Sequence, residues 1–389
     1  MPFDPYAPAA EDRYDQMAAI RAGGGVVPTP AGYFVATAAG VETGLREVEK
    51  FVGSFTDTSV LPDDDVVISA IPEPRHGRIR KVINTVVALH RANDAEPFIR
   101  ATTARLVDDA VRANHEHGLV DLVATVVDPL PSAVIAHMLG APVEDQVQFR
   151  LWSDELLERQ SAGEPMGLPD LHPEFAAYIF DLIDRHRSVP DPPDDVITRF
   201  LHTAVEGEHL SDRAVCTQTM FLIISGNETT RNLIGNALHT LATDPDLYAR
   251  VRAERALIPL VVEESLRHDS PVQVLGRAVL ADTEISGVAL HPGDRVVFGI
   301  ASANRDEAVF AEPERFSVDR RRPREHLAFG TGPHVCPGAT LARLEACTVL
   351  EIMCDRVGSF RLVEGFVAVP NPVFWALGHR RLDATLVPA

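Results

Sequence analysis

The chain has 389 residues, 46% of them apolar, which is enough for a large globular core. A formal net charge of −20 argues against nucleic acid and anionic membrane as partners, because both are themselves negatively charged. Four cysteines (Cys216, Cys336, Cys347, Cys354) in so long a chain do not make a disulfide framework, and without a Cys-x-x-Cys neither a zinc ribbon nor a dithiol redox centre is indicated.

Residues 1–20 carry four acidic residues and three prolines without an apolar run, so they read as neither secretion signal nor anchor. No apolar stretch approaches the ~18 residues of a membrane span, and a soluble cytoplasmic protein is expected. Residues from about 20 to 70 predict a small β-rich part, with Pro28 and Pro30 in a turn and a strand-like run after Tyr33. The stretch 54–72, with Asp63-Asp64-Asp65, has little periodicity and predicts a loop. His76 and Arg80 then stand four apart, on one face of a predicted helix. The run from Leu122 to Gly140 reads as a buried helix with a glycine end, and 152–157 and 175–187 as further helices. Pro190, Pro192 and Pro193 mark a loop before Asp194-Asp195 starts another. No repeat or low-complexity linker divides the chain, so one domain, 1–389, is expected.

A long helix follows. Ser211 is a good N-cap, and the helical pattern continues to Asp244-Pro245, about 33 residues or roughly 50 Å. No charged residue lies between Ala214 and Asn227, so this part should be buried all round. Ser225-Gly226-Asn227-Glu228-Thr229-Thr230 then puts a glycine, an acid and hydroxyls into a buried helix. Both the glycine and a buried carboxylate cost stability, which predicts a functional reason for the run.

Glu264 and Arg267 are spaced as a helical acid–base pair. Pro271 to Arg277 reads as a turn and a strand, with more strand pattern at 278–280 and 295–299 and a turn at His291-Pro292-Gly293-Asp294. Arg320-Arg321-Arg322-Pro323-Arg324 is the densest positive run in the acidic chain. Then comes Phe329-Gly-Thr-Gly-Pro-His-Val-Cys-Pro-Gly-Ala-Thr-Leu-Ala-Arg-Leu-Glu345. It sets one thiol, Cys336, on a stiff loop just before a helix N-terminus, where N–H groups and the helix dipole favour a thiolate. Gly330, Gly332 and Gly338 let the backbone bend or lie close to something large and flat.

The ordered pattern Phe-Gly-x-Gly-x-His-x-Cys-x-Gly-x-x-Leu-Ala-Arg-x-Glu resembles the haem-ligand loop of the cytochrome P-450 monooxygenases. The run 225–230 is similar to that family's Ala/Gly-Gly-x-Asp/Glu-Thr-Thr/Ser signature, from which Ser225 departs slightly. Glu264-x-x-Arg267 with Pro313-Glu314-Arg315-Phe316 resembles its Glu-x-x-Arg plus Arg triad. The resemblance implies a mainly α fold with small β-sheets, a triangular helical prism around a long central helix. It also implies haem b with Cys336 as axial thiolate, and insertion of one oxygen atom from O2 into a hydrophobic organic substrate. Electrons would come from a ferredoxin or flavodoxin and its NAD(P)H reductase, and the protein would be a monomer.

The same resemblance assigns His76, Arg80, Arg277 and His334 to the haem propionates, and Phe329, Gly330, Gly338 and Gly226 to the borders of the haem. Glu228 and Thr229 become the proton-delivering pair, and Glu264, Arg267 and Arg315 a structural lock. Phe221, Ser225, Thr230, Val272, Val274, Leu275, Phe374 and Trp375 become the substrate pocket. Two rival readings on the same fold are a peroxygenase or nitric oxide reductase and a non-catalytic haem-thiolate sensor; intact Glu228-Thr229 counsels against both. The arginine run at 320–324 is expected to dock an acidic electron donor. Pro337 removes an N–H beside the ligand, so fewer hydrogen bonds to the sulfur and a low reduction potential are expected. The short loop before His76 suggests an open or shallow distal mouth.

Overall fold

The computed structural model describes residues 3–7, 12–53, 60–87, 89–161, 166–205, 207–371 and 373–389. Its axis is the helix Asp212–Thr243, capped by Ser211, whose hydroxyl accepts the Ala214 N–H at 3.1 Å. The helix stops at Asp244, whose carboxylate caps the next helix, Pro245–Ala253, through the Leu247 N–H. It is apolar all round over its first half, and so it can separate two cores. On one side Leu233, Leu238, Val261, Val349 and Leu350 pack with the helices Ile258–His268 and Ala339–Arg356. On the other, Phe149, Phe175, Phe200 and Met220 pack with Gln146–Ser161, Pro173–Ser188 and Val196–His202. Each such side chain contributes about 1.5–3 kcal/mol on burial. The polar run 225–232 lies along this shared axis.

The β-rich part is not assembled from the N-terminal residues alone, as the sequence suggested. Its five-stranded sheet runs Val26–Thr29, Gly32–Val35, Arg295–Gly299, Val274–Val279, Phe51–Gly53. Two of its strands therefore come from the second half of the chain, and the strand at 295–299 lies parallel to that at 32–35. Alternating side chains explain the arrangement, since Val35, Val296 and Phe298 bury against the helix Ala38–Arg46. Gly44 permits that contact: a Cβ there would meet the Phe298 ring at 2.0 Å.

The stretch expected as one buried helix from Leu122 begins as a strand at Val120–Asp121. It passes through a π turn at Val123–Val127 and becomes α-helix only at Pro129–Met138, with Gly140 at φ +66° just beyond. Of the expected loop, 54–59 lies outside the described residues, and the rest holds only single 3-10 turns at Asp63–Asp65 and Ile68–Ala70. It is nevertheless tied down. The Gln218 amide spans it, donating to the Val66 carbonyl and accepting the Ile68 N–H, both at 2.9 Å. Arg213 grips Asp65 through two bonds, of 2.6 and 3.0 Å, and also reaches Asp170 in the short helix Leu168–Leu171.

Candidate haem-thiolate site

The cysteine loop is closed by one hydrogen bond, from the Cys336 N–H to the Phe329 carbonyl at 2.8 Å. Gly330 and Gly332 sit at φ +70° and +71°, where a side chain would be strained. The Arg343 guanidinium lies 4.5 Å from the centre of the Phe329 ring and holds it from the following helix. Burial pushes the Cys336 thiol up, while the N–H groups of Gly338 and Ala339, with Arg80 and Arg343, pull it down. The sulfur's backbone donors therefore lie beyond Pro337. The proline supplies no donor, but the next two residues open the helix Ala339–Arg356 and turn theirs to the sulfur.

Beside the loop the structure brings together the four residues assigned to the propionates. The rings of His76 and His334 lie 3.9 Å apart at 34°. Arg80 donates to the Val335 carbonyl and, through Nε, to Asn84 at 2.9 Å. Burial, then the positive charge of His76, Arg277 and Arg80, lowers His334 to about 3. Arg277 is buried on its strand, where its guanidinium donates to the Gly276 carbonyl, and desolvation lowers it to about 10. His76 is 1% exposed and its Nε2 is buried without a hydrogen-bond partner. A buried ring nitrogen left open stands beside a buried guanidinium that has no acidic partner among the described residues, and that guanidinium calls for an anion. A haem with two propionates and an iron for Cys336 fits this donor set.

On the central helix the Thr229 hydroxyl donates back to the Ser225 carbonyl at 2.7 Å, and that of Ser225 to Leu222 at 3.3 Å. Glu228 engages a different set of groups. It is 1% exposed, its Oε1 accepts from Asn232 (2.8 Å) and Asn371 (3.3 Å), and Oε2 lies against Arg231. Burial raises its carboxyl and Arg231 opposes the rise. Arg231 continues to Asp154 at 2.9 Å and Asp128 at 3.9 Å, and burial brings Asp128 up to about 6. A cleft of about 370 Å³, lined among others by Asp128, Arg150, Asp154, Arg231 and Asn371, reaches these partners of the acid. Asn232 and Asn371 had no sequence signal: they are ordinary polar residues whose meeting depends on the C-terminal segment folding back. Gly378 lets it close, since a Cβ there would meet Asn232 Oδ1 at 1.8 Å.

Gly226, assigned to the haem border, also has a packing role. Its missing side chain faces Ile135, which a Cβ would meet at 3.1 Å, so the glycine serves close approach of the helix Pro129–Met138. The lock also needs correction. Glu264 and Arg267 are paired at 2.9 and 2.7 Å and buried, as the spacing predicts. The arginine completing the triad is Arg320, whose Nε reaches both Glu264 oxygens at 2.8 and 3.0 Å. The Arg315 side chain is 69% exposed, 3.7 Å from Glu312, and only its backbone carbonyl joins, accepting from Arg267 and Arg320. The turn at 313–316 directs the Pro313 and Arg315 carbonyls inward to Arg267 and Arg320, while the Arg315 side chain stays at the surface.

Glu263, next to the lock, carries a second hub that sequence reasoning missed. It accepts from Arg343 at 2.6 and 3.0 Å, His326 at 2.9 Å and Arg324 at 3.1 Å. Against the upward pull of burial, the bonds from His326 and Arg343 bring its carboxyl to about 2. It ties the residues before the cysteine loop to the helix after it. The arginine run is thus partly turned inward, through Arg320, while Arg324 reaches Glu263 from the exterior and Arg322 pairs with Glu325 at 2.7 Å.

The pocket residues are brought together only in part. Val272 bridges to Ala376, placing it beside Phe374 and Trp375, and the Phe374 ring meets Tyr6 at 5.0 Å. Phe221 and Ser225 are half-buried on the central helix and Thr230 is buried. Leu275 packs beside Val35 and Phe298. Val274 is a core residue instead: strand alternation turns it to the opposite face from Leu275, fully buried with Met17, Phe34 and Val297.

A haem-binding enzyme with a thiolate ligand is the class that this fold and loop define. A family model described as Cytochrome P450 matches residues 46–356. Cytochrome P450 109 of Bacillus spizizenii is 33% identical over 329 residues, 82% of this chain and 79% of that protein. A Steroid C26-monooxygenase of Mycobacterium tuberculosis is 35% identical over 320 residues, 82% of this chain and 85% of its own. Among solved structures, CYP109Q5 from Chondromyces apiculatus superposes with a TM-score of 0.86 at 32% identity, over 100% of this chain and 98% of that one. CYP109E1 from Bacillus megaterium, in complex with testosterone, superposes at 0.82 with 31% identity, over 98% and 99%. The chain belongs to the cytochrome P450 family and is an oxidoreductase of the monooxygenase type.

Proposed function

We propose that the protein uses O2, and electrons from a ferredoxin or flavodoxin with its NAD(P)H reductase, to oxygenate a hydrophobic substrate of steroid size. The observation that carries the reading is the open cationic cradle beside the cysteine loop: His76 with a free buried Nε2, and Arg277 without an acidic partner among the described residues. Cys336 would ligate the iron, and His76, Arg80, Arg277 and His334 would hold the propionates, with Phe329, Gly330 and Gly338 at the border. When bound, haem supplies O2 activation and transfer of one oxygen atom, with thiolate donation favouring O–O cleavage.

The chain supplies the protons. Glu228, raised by burial and opposed by Arg231, would take a proton from water in the cleft beside Arg231, Asp154 and Asp128 and pass it inward. Thr229 passes its hydroxyl from the Ser225 carbonyl toward the reacting side when the site fills. A buried acid next to an alcohol is what O2 chemistry needs and peroxide-driven chemistry does not, so the monooxygenase reading is preferred. The whole chain acts as one domain, a monomer in the cytoplasm where NAD(P)H is at hand.

The substrate class rests on relatives: one is named a steroid monooxygenase and another was solved with testosterone. Titration with testosterone, linalool and a fatty acid tests it through displacement of the iron-bound water in the visible spectrum. A saturable shift with the steroid at the lowest concentration supports the reading, and a shift only with the fatty acid overturns the substrate class. Product formed with hydrogen peroxide alone, but not with O2 and a ferredoxin chain, would overturn the oxygen source.

A further inference from the structure

The helix Arg75–Val86, which carries His76 and Arg80, begins after Pro74, a residue with no side-chain acceptor for the open N–H groups. Glu73 takes that place. Its Oε2 accepts the Gly77 N–H at 3.1 Å and its Oε1 meets His76 Nδ1 at 2.8 Å. Against the pull of burial, the bonds from His76 and Gly77 hold the Glu73 carboxyl below its usual range. The His76 side chain is 1% exposed while that of Glu73 is 31% exposed, so the carboxylate stands at the edge and the ring points inward. On one side the His334 ring limits rotation.

We propose that Glu73 is a positioning residue: by fixing Nδ1 it aims the buried Nε2 of His76 at a haem propionate and so sets how tightly haem is held. The proposal rests on the haem reading above. A carboxylate is an acceptor only, so Nδ1 must donate to Glu73. A propionate at Nε2 is again acceptor-only, and a ring between two such groups donates from both nitrogens. Glu73 is the counter-charge for that arrangement, in the way that a carboxylate behind a ligating histidine orients the ring and strengthens its hold.

A double-mutant cycle separates this role from helix capping. Glu73→Gln keeps an oxygen for the Gly77 N–H, and the cap with it, but removes the charge. The readouts are the rate of ferric haem transfer to excess apomyoglobin and the reduction potential of the holoprotein. Glu73→Gln should speed haem loss about tenfold and lower the potential, and should add nothing when His76 is already Asn. Glu73→Asp, which keeps an acceptor-only group, should restore most of the retention. An equal effect of Glu73→Gln in both backgrounds, or none in the parent, or no recovery with Asp, overturns the proposal. A parent protein that takes up no haem at all would instead overturn the haem reading.

Discussion

Thr229 and Glu228 are neighbours in sequence, yet one is bonded back to the helix and the other is held by Arg231, Asn232 and Asn371. That division separates their expected effects. Removing the hydroxyl in Thr229→Ala should leave electron uptake intact and divert it to hydrogen peroxide, measured as peroxide formed per NAD(P)H consumed; full coupling would contradict the role. Glu228→Gln should slow turnover about a hundredfold, the lower end of what a positioned acid supplies, and enlarge the solvent isotope effect. The acid–alcohol pair was readable in the sequence because it is local. Asn371 was not, since it reaches Glu228 from the C-terminal segment. The packing of Gly226 on Ile135 was not legible either, because a helical glycine beside a cofactor motif has two causes, close packing and cofactor approach, and the sequence shows only the motif.

Among the elements, the helix Ile258–His268 is joined to its surroundings by consecutive acids, Glu264 to Arg267 and Arg320, and Glu263 to Arg343, His326 and Arg324. Breaking a buried pair by removing one partner costs about 3–5 kcal/mol. Arg320→Ala should therefore lower the melting temperature sharply and promote haem loss, whereas Arg315→Ala should stay within about 0.5 kcal/mol of the parent. Equal melting temperatures for the two variants would contradict the assignment. Glu263 also gives a pH signature. Its carboxyl falls from 4.5 to about 2 on folding, so its contribution is present above pH 4.5 and is lost as pH falls toward 2. The difference is worth about 3 kcal/mol. In Glu263→Gln, denaturant unfolding should lose that part of its pH dependence; an unchanged acid limb would exclude Glu263 as its source. Sequence spacing exposed Glu264 and Arg267 because they share one helix turn. It could not choose between Arg315 and Arg320, which lie on the same irregular stretch and differ only in which way the turn faces.

At the scale of the whole molecule, the cysteine loop and the central helix announced the architecture, and the mainly α expectation holds. The sheet was less legible because its two middle strands lie more than two hundred residues from their N-terminal partners. The acidic surface bears on electron delivery. Of the arginine run, Arg320 is spent on Glu264, and Arg321, Arg322 and Arg324 remain on the exterior. Reversing the charge of those three should slow reduction by a ferredoxin about tenfold at low ionic strength, with the difference shrinking as salt rises. Unchanged reduction kinetics would place the donor elsewhere.

The whole arrangement returns to one sulfur, held at a helix N-terminus beneath a cradle of cationic groups. The most direct measurement is the carbon monoxide difference spectrum of the reduced protein, taken for the parent and for Cys336→Ser. The parent should show the strongly red-shifted Soret band of a thiolate-ligated haem, and the variant should lose it while still binding haem through His76, Arg80, Arg277 and His334. The same band in Cys336→Ser, or its absence from the haem-loaded parent, would contradict the assignment of Cys336 as the ligand.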